Sequence, residues 1–389
     1  MSKVRRSELA ERRERILVAM SGGVDSSVAA ALLVEAGHDV VGATMRTFCY
    51  SHAQEPGAAA HSGSVAKSVA KSCCGMDGIM DARAVARRLG IAHHVFDVEE
   101  EFTRDVIDDF VAEYARGRTP NPCVRCNSFT KFRDLLSRAA ALGCTAIASG
   151  HYARVVHGPA GATLHRGVDR AKDQAYFLWG LAPALIERLH LPLGALNKPE
   201  VRARARSLGL ETADKPESQE ICFVPTGDYR DLLRRRLPER HPALQPGPLV
   251  TAGGEVLGEH AGYAGFTVGQ RKGLGGGFDA PQFVVAIRPE TREVVVGPRA
   301  ALLSDAVDVE DPRWLGAPPA VGDRIGVQLR HRAREVVATV ERTEDGLVAL
   351  ALEVPQSAVT PGQSAVLFLG DRVLGGGRIA RAGRFTGAA

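Results

Sequence analysis

The sequence lacks any long hydrophobic run, and this absence excludes a helical membrane protein. No apolar stretch in the 389 residues approaches the roughly 18 residues that a membrane-spanning helix needs. The first 15 residues are rich in charge, and the apolar run that follows them is too short for a signal peptide, so we expect no secretory signal. The default expectation is a cytoplasmic protein with no membrane partner.

Cysteine is sparse and odd in number. Seven cysteines in a chain of this length do not form the disulfide framework of a small secreted protein. The chain is long enough for two or three domains, so its core does not depend on disulfides. In a reducing compartment, cysteines at short spacings more often bind metal or carry out redox chemistry.

Lysine is scarce: only 8 of the 49 basic residues are lysine, and the other 41 are arginine. Biased codon usage is the simpler explanation, and phosphate contact, which arginine makes with two parallel hydrogen bonds, is the alternative. The net charge of +4 is compatible with nucleic acid but too small to indicate it alone. Hydrophobic residues at 45% and charged residues at 24% are typical of a soluble globular chain.

Short apolar runs alternate with helix-forming stretches in the first part of the chain. Residues 15–20 form a continuous apolar run, which favours a strand that is buried on both faces of a parallel sheet. A helix over 26–36, ended by Gly37, and a strand over 40–45 complete a βαβ unit. The pattern therefore predicts an α/β fold with a doubly wound parallel sheet. Further strands are expected at 93–98 and 146–149, helices at 77–89, 101–116 and 128–142, and an exposed mobile loop at 50–76.

Glycine and proline become frequent after about Thr226, and strand alternation replaces the helical pattern. Three hairpins are predicted, at 283–287 with 293–297, at 336–340 with 347–353, and at 364–369 with 372–374. A small Gly-rich β domain and a C-terminal antiparallel β-barrel are expected. The predicted domains are an N-terminal extension (1–13), a catalytic domain (14–225), a central domain (226–282) and the barrel (283–385).

The segment Ser21–Ser27, with the sequence SGGVDSS, lies between the first predicted strand and the first predicted helix. Its two glycines allow close approach of a ligand, and the helix offers unpaired N–H groups to an anion. Ser21, Ser26 and Ser27 are expected to add hydroxyl donors, and Asp25 is assigned to a Mg²⁺ ion that bridges phosphate oxygens. The Gly-Lys-Ser/Thr sequence of common NTPases is missing, so this is a different phosphate loop.

Cys123 and Cys126 form a C-x-x-C pair within Thr119–Asn127, and Cys222 follows 96 residues after Cys126. Pro120 and Pro122 are expected to keep this segment out of a helix, with the next helix beginning near residue 128. A thiol at a helix N-terminus has its thiolate favoured. On its own, the pair leaves metal binding, redox chemistry and coincidence open. The other cysteines are expected to be exposed thiols (Cys73, Cys74) or small packing residues (Cys49, Cys144).

Together these motifs resemble those of the bacterial tRNA-specific 2-thiouridylases, whose phosphate loop is that of the ATP pyrophosphatases. Further segments match the family along the chain, and only the first dozen residues and the loop at 50–76 fall outside the resemblance. The matching segments are Ser149–Tyr152, Lys172–Phe177, Thr267–Gly273 and Thr360–Ala365.

The resemblance implies a tRNA-uridine 2-sulfurtransferase. Such an enzyme uses ATP to adenylylate O2 of the wobble uridine at position 34 of tRNA and then replaces that oxygen with sulfur. By resemblance, Cys222 carries the sulfur as a persulfide, and Cys126 is the nucleophile that closes a disulfide with it. A sulfur-donor protein, either a persulfide carrier or a cysteine desulfurase, is implied as a partner.

The resemblance also implies binding residues. ATP contacts carry over to Ala19, Met20, Ser21, Gly22, Gly23, Val24, Asp25, Ser26, Met45 and Gly150. Contacts with the target base carry over to Asn121, Pro122 and Cys123. Contacts with tRNA carry over to His151, Lys172, Asp173, Gln174, Arg330, His331 and Gln363.

One departure opens an alternative route for sulfur. Many members of the family carry aspartate where this chain has Cys123. Cys123, Cys126 and Cys222 together are enough to hold an iron-sulfur cluster with one open iron that carries sulfide. Two other functions are weaker: an amidating ATP pyrophosphatase lacks a glutaminase signature here, and a zinc-stabilised RNA-binding protein leaves the phosphate loop unexplained.

Overall fold

The computed structural model describes residues 13–47, 76–216, 221–224, 227–275 and 278–383. The predicted loop at 50–76 lies outside the described residues up to residue 75, as do Cys49, Cys73 and Cys74. The described residues form two compact units. The first takes its residues from Met1–Glu99, Phe129–Gln174 and Ala184–Phe223, and the second from Glu100–Ser128, Ala175–Pro183 and Val224–Ala389. No helix in the described part of the chain is long and apolar enough to cross a membrane.

A five-stranded parallel sheet forms the centre of the first unit, in the order β3-β2-β1-β4-β7. Residues Ile16, Leu17 and Val18 of β1 are fully buried, as expected for a central strand that is covered on both faces. An antiparallel hairpin, β5-β6, completes the strands of this unit. The bounds are β1 (Arg15–Ala19), β2 (Asp39–Arg46), β3 (Ala92–Asp97), β4 (Ala146–Ala148), β5 (Ala153–Gly158), β6 (Gly161–Arg166) and β7 (Leu189–His190).

The first two helices pack apolar residues against this sheet, and Val28 and Ala29 of the first helix and Ala82 of the second are fully buried. The α/β fold with a parallel sheet that the sequence predicts is therefore confirmed. The helices of the described residues are α1 (Val24–Glu35), α2 (Met76–Leu89), α3 (Glu99–Phe102), α4 (Asp108–Ala115), α5 (Pro122–Arg125), α6 (Phe132–Ala141), α7 (Pro183–Ile186), α8 (Lys198–Ser207) and α9 (Tyr229–Arg236). Turns of π-helix occur at Thr103–Ile107 and Cys126–Lys131, and 3₁₀ turns at Ala175–Phe177, Glu211–Asp214, Pro242–Leu244, Tyr263–Gly265 and Arg299–Leu302.

The cysteine segment is helical earlier than the sequence predicts. Pro122 is the first residue of α5, so the expectation that two prolines keep this segment out of a helix is wrong for Pro122. A proline is tolerated at the first helical position because the N–H there has no partner within the helix. The helical chain then passes through a π-helical turn that begins at Cys126 and continues as α6.

The second unit contains a four-stranded sheet and a closed barrel of six antiparallel strands. The barrel order is β12-β15-β14-β13-β16-β17, and β17 pairs again with β12. Its interior is lined by alternating apolar residues such as Val307, Val327 and Leu350. The strands of this unit are β8 (Gly247–Thr251), β9 (Val256–His260), β10 (Phe283–Arg288), β11 (Glu293–Gly297), β12 (Leu303–Trp314), β13 (Arg324–Gln328), β14 (Val336–Glu344), β15 (Leu347–Ser357), β16 (Ser364–Leu369) and β17 (Arg372–Gly383).

All three predicted hairpins are present, as β10-β11, β14-β15 and β16-β17. The sequence groups the first of them with the barrel. In the structure β11 pairs in parallel with β8, so this hairpin belongs to the four-stranded sheet with β9. Alternation and turn residues identify a hairpin, but they carry no information on which distant strand it pairs with.

Candidate active site

The Ser21–Ser27 loop lies where the strand order of the parallel sheet reverses. β1 and β4 are neighbours at the centre of the sheet, and the chain leaves them toward opposite edges. In open α/β sheets, ligands bind beyond the carboxyl ends of the strands at such a switch point. The loop follows β1 directly, and Gly150 comes two residues after the end of β4.

Two glycines bring these loops into contact. Gly22 has φ +71°, and a Cβ atom there would lie 2.2 Å from the carbonyl oxygen of Gly78 in α2. At Gly150, a Cβ atom would lie 2.7 Å from the backbone carbon of Asp25 and from the backbone nitrogen of Ser26. Both positions therefore require glycine, and they fix the shape of the phosphate loop against α2 and the end of β4.

The first turn of α1 is open to an anion. Its N-cap residue is Gly23, which offers no side chain to the unpaired N–H groups of the turn. The backbone N–H of Ser21 donates to Ser26 Oγ (3.2 Å), which in turn donates to the Gly23 carbonyl (3.1 Å). Ser27 is fully buried and donates to the same carbonyl (2.8 Å), so the expectation that its hydroxyl serves a phosphate is wrong.

Hydrogen bonds connect Met20, the residue before the loop, to β2. Met20 donates its N–H to the Ala43 carbonyl (2.7 Å), and its own carbonyl accepts from the Thr44 hydroxyl (2.7 Å). The Thr44 oxygen also lies 2.9 Å from Nε2 of His93, whose pKa is lowered to about 4, chiefly by burial. The imidazole is therefore neutral at pH 7, and Nε2–H donates to Thr44. Met45, a residue of the predicted ATP set, is buried one position further along β2.

Asp25 is bound by an ammonium group. The Nζ atom of Lys198 lies 2.8 Å from each carboxylate oxygen of Asp25, and the Tyr152 hydroxyl donates to Oδ1 (2.8 Å). Lys198 is only 8% exposed and is the first residue of α8, held by a capping box between Asn197 and Glu200. The residues present therefore do not fit Mg²⁺ at Asp25 unless Lys198 is displaced.

A second lysine reaches the other side of the loop. Lys215 Nζ donates to the Gly22 carbonyl (3.1 Å) and forms an ion pair with Asp81 of α2. Lys198 and Lys215 are 173 and 193 residues from their loop partners, Asp25 and Gly22. The loop itself contains no lysine, and no local pattern in the sequence indicates that either lysine contacts it. The one available signal is composition: in a chain with only eight lysines, each retained lysine is a candidate for a specific role.

The cysteine segment belongs to the second unit. Asn121 caps α5 by accepting from the N–H of Val124 (3.4 Å), and Cys123 is exposed in the first turn of this helix. Cys126 is half-buried at its end. Between the two cysteines, the Arg125 guanidinium lies 3.4 Å from the Asp109 carboxylate and donates to the Asp105 carbonyl (3.3 Å), which fixes this face of α5.

Cys222 belongs to the first unit and is half-buried. The structure holds Cys123, Cys126, Cys144 and Cys222 as thiols, and Cys144 is buried, as the sequence predicts for a packing residue. Burial raises the pKa of the Cys144 thiol and keeps it unreactive. Across the described residues, no group of three or more His, Cys, Asp or Glu side chains is arranged to hold a metal ion.

Four predicted tRNA contacts lie in the first unit. Asp173 forms a largely buried ion pair with Arg166 (3.0 Å), and the Gln174 side chain accepts from the backbone N–H of Tyr152 (2.9 Å). Both side chains therefore support the chain locally. Lys172 is partly exposed. His151 Nδ1 is hydrogen-bonded to Ser149 Oγ (2.8 Å).

The other three predicted tRNA contacts lie in the second unit. Arg330 is exposed, and the ring of His331 packs against that of Phe177 at 4.4 Å between centroids. The amide nitrogen of Gln363 donates to two backbone carbonyls, those of Thr119 (2.9 Å) and Pro120 (3.1 Å). For all seven residues, contact with tRNA stays a prediction.

Three family models match the chain: a tRNA methyl transferase HUP domain over residues 14–226, a tRNA methyl transferase PRC-barrel domain over 231–298, and an aminomethyltransferase beta-barrel domain over 304–379. A protein of Rhodospirillum centenum named tRNA-specific 2-thiouridylase MnmA is 49% identical over 376 residues, covering 95% of this chain and 92% of that protein. A protein of the same name from Chloroflexus aurantiacus is 49% identical over 368 residues, covering 94% and 98%.

Among solved structures, the U34-tRNA thiolase NcsA from Methanococcus maripaludis with its [4Fe-4S] cluster is similar to this chain at a TM-score of 0.33 and 18% identity. The similarity covers 59% of this chain and 69% of that one. No functional conclusion follows from similarity at this level.

Proposed function

The chain belongs to the tRNA-specific 2-thiouridylase family, and on that premise we propose that it replaces O2 of the wobble uridine of tRNA, at position 34, with sulfur in an ATP-dependent reaction. The observation that carries the proposal is the phosphate loop. It combines an open helix N-terminus at Gly23 with close packing at Gly22 and Gly150, and it lies at the switch point of the sheet.

ATP serves to make O2 a leaving group. The C2 carbonyl of uridine is a weak electrophile, and its oxygen leaves poorly. Attack of O2 on the α-phosphate of ATP, with loss of the N3 proton, releases pyrophosphate and joins AMP to the base. The loop N–H groups and the ammonium groups of Lys198 and Lys215 are placed to stabilise the negative charge on the phosphates in this step.

Sulfur then replaces the AMP. The terminal sulfur of a Cys222 persulfide attacks C2, and the Cys126 thiolate attacks Sγ of Cys222. The sulfur–sulfur bond breaks, its electron pair remains on the transferred sulfur, AMP leaves, and C2=S forms as N3 regains a proton. Cys126 and Cys222 end as a disulfide, which an external dithiol reduces before a sulfur-donor protein reloads Cys222.

The iron-sulfur alternative with Cys123, Cys126 and Cys222 has no support from a ligand group among the described residues, and we derive no step through it. Anaerobic purification followed by Mössbauer spectroscopy tests it directly. Iron-free protein that still thiolates tRNA would rule out the cluster route and leave the persulfide route in place.

The proposed function is tested by incubating the protein with ATP, a persulfide donor and unmodified tRNA. We expect stoichiometric AMP, pyrophosphate and 2-thiouridine, measured by nucleoside mass spectrometry. Release of AMP without a thiolated nucleoside would contradict the assignment and favour another ATP pyrophosphatase, such as an amidating ligase. Pyrophosphate release that depends on tRNA shows that the preparation is active. If it occurs without a thiolated nucleoside, the assignment is wrong and the protein is not merely inactive.

The tRNA contacts of His151 and Lys172 are expected to differ in kind. Burial, with a smaller effect of the Lys131 charge, holds the pKa of His151 well below its ordinary value, so its imidazole is neutral at pH 7. The substitution His151→Ala is therefore expected to weaken tRNA binding equally at all salt concentrations and between pH 6 and 8.

The substitution Lys172→Met removes one phosphate partner and is expected to lower the slope of log K against log[salt] by about 1.

Filter binding across a salt series measures both effects. A reduced salt slope in His151→Ala would show that this histidine is charged when it binds. An unchanged slope in Lys172→Met would remove Lys172 from the phosphate contacts.

A further inference from the structure

The barrel holds the backbone that leads into the cysteine helix. The dipeptide Thr119–Pro120 has three polar backbone atoms, because Pro120 has no N–H group. All three are bound by one barrel turn: the N–H of Thr119 donates to the Pro361 carbonyl (2.8 Å), and both carbonyls accept from Nε2 of Gln363 (2.9 and 3.1 Å). One side-chain amide thus bridges two consecutive carbonyls.

This turn is itself rigid. The N–H of Gly362 donates to the Ile379 carbonyl, and the N–H of Ile379 donates to the Gln363 carbonyl, both at 2.8 Å. Ile379 is fully buried in the barrel. Gly362 has φ +89°, and a Cβ atom there would lie 2.9 Å from the backbone nitrogen and oxygen of Thr119, so only glycine permits this approach. The backbone of Gln363, which carries the amide donor, is therefore held in the barrel by the hydrogen bonds that Gly362 and Gln363 form with Ile379.

The segment that the barrel binds leads directly into the cysteine helix, α5. Asn121 follows Pro120 and caps α5, in which Cys123 lies at the second position and Cys126 follows the last. Tyr176, which is almost fully buried, donates to the carbonyl of Ser364, the residue after Gln363 (3.0 Å). The barrel segment that binds Thr119 and Pro120 is therefore itself held by a buried side chain.

Hydrogen bonds from the barrel are needed here because residues 119–122 have few hydrogen-bonding groups of their own. Two of the four residues from 119 to 122 are prolines, which donate no N–H. A segment like this is not fixed by a helix or a sheet ladder, so the direction in which α5 starts depends on the partners of its carbonyls.

We propose that Gln363 is a positioning residue for the Cys123–Cys126 helix and acts through the carbonyls of Thr119 and Pro120. The inference rests on the proposed function, because it assigns the consequence to the Cys126 thiol. It differs from the tRNA contact that family resemblance implies for Gln363, since the amide donor is already engaged within the chain.

The test compares two substitutions that remove the same chemical group. Gln363→Met keeps the length of the side chain and loses the donor. Gln356→Met is the matched control, because Gln356 is also in the barrel region and donates to two consecutive carbonyls, those of Val354 and Pro355, within its own strand. Three quantities are measured: the single-turnover rate of thiolation, the Kd for tRNA, and the alkylation rate of each cysteine by iodoacetamide.

For Gln363→Met we expect the thiolation rate to fall about 100-fold, the order of loss for a misplaced reacting group. The Kd for tRNA is expected to stay unchanged, and Cys126 is expected to be alkylated faster than in the wild type while Cys144 is not. Gln356→Met is expected to match the wild type in all three. Gln363→Lys restores a donor and is expected to recover the wild-type alkylation rate of Cys126.

A weakened Kd for tRNA with an unchanged Cys126 alkylation rate would overturn the proposal and make Gln363 a tRNA contact. Failure of Gln363→Lys to recover the alkylation rate would also overturn it, because the donated bonds would then not matter. If the wild-type protein itself makes no thiolated nucleoside, the proposed function fails, and the alkylation rates still decide the role of Gln363.

Discussion

The substitution Cys222→Ser is expected to abolish 2-thiouridine formation while ATP-dependent adenylylation of tRNA continues. A serine hydroxyl cannot carry a persulfide sulfur, so the step that attacks C2 has no nucleophile. In the proposed reaction adenylylation depends on the phosphate loop, so we expect it to be unaffected by the loss of this thiol. The measurement pairs pyrophosphate release with nucleoside mass spectrometry in a single turnover, together with the Kd for tRNA, which we expect to be unchanged.

Cys144→Ala is the control for this result. Cys144 lies in the same unit but is buried, and its thiol has a raised pKa, so its removal is expected to leave thiolation intact. Survival of thiolation in Cys222→Ser would exclude the persulfide role of Cys222. Loss of pyrophosphate release in the same variant would mean that Cys222 acts earlier than sulfur transfer.

The substitution Lys198→Met is expected to weaken ATP binding. It removes the ammonium that binds both oxygens of Asp25 and leaves a carboxylate beside the phosphate site. Hydrogen bonds to charged groups contribute about 1.5–3 kcal/mol, which corresponds to a rise in the Kd for ATP of roughly 10- to 100-fold. Equilibrium dialysis with labelled ATP measures the change, and a thermal melt excludes unfolding.

Two comparisons separate the roles of Lys198. Lys272→Met, at an exposed lysine in the second unit, is expected to leave the Kd for ATP unchanged. In the double variant Asp25→Asn with Lys198→Met, both charges are gone. Recovery of ATP binding relative to Lys198→Met alone is expected if the lysine neutralises Asp25. Wild-type ATP affinity in the single variant would remove Lys198 from the site.

The local part of the site could be predicted from the sequence, because its signals are local. The loop Ser21–Ser27 has its glycines, its strand and its helix within a few residues of one another, and the βαβ pattern around it predicts a parallel sheet with right-handed crossovers. Lys198 and Lys215 could not be predicted, because no sequence pattern near either lysine indicates a contact with the loop. Lys198 stands in a pattern, Asn-Lys-Pro-Glu, that indicates only the start of a helix.

Errors in the predicted fold have the same origin. Proline at residue 122 was expected to break a helix, but its effect depends on its position: at the first helical residue it costs nothing, and only the Asn121 cap defines that position. The β10-β11 hairpin pairs with β8, and its own residues do not encode that pairing. Ser26 and Ser27 both donate to the Gly23 carbonyl, a contact that depends on helix geometry and that the local sequence does not indicate.

The interleaving of the two units has a consequence for synthesis on the ribosome. The cysteine segment is made early, while the barrel residues that hold it lie far downstream: Gln363 is 244 residues beyond Thr119, and Glu310, which pairs with Arg118, is 192 residues beyond that arginine. At about 5–20 residues per second, a nascent chain carries the exposed cysteine segment for on the order of tens of seconds before its partners emerge. A chain that ends before Gln363 therefore contains the phosphate loop but lacks the barrel turn that binds the residues before the cysteine helix. Only a chain synthesised beyond this turn contains both.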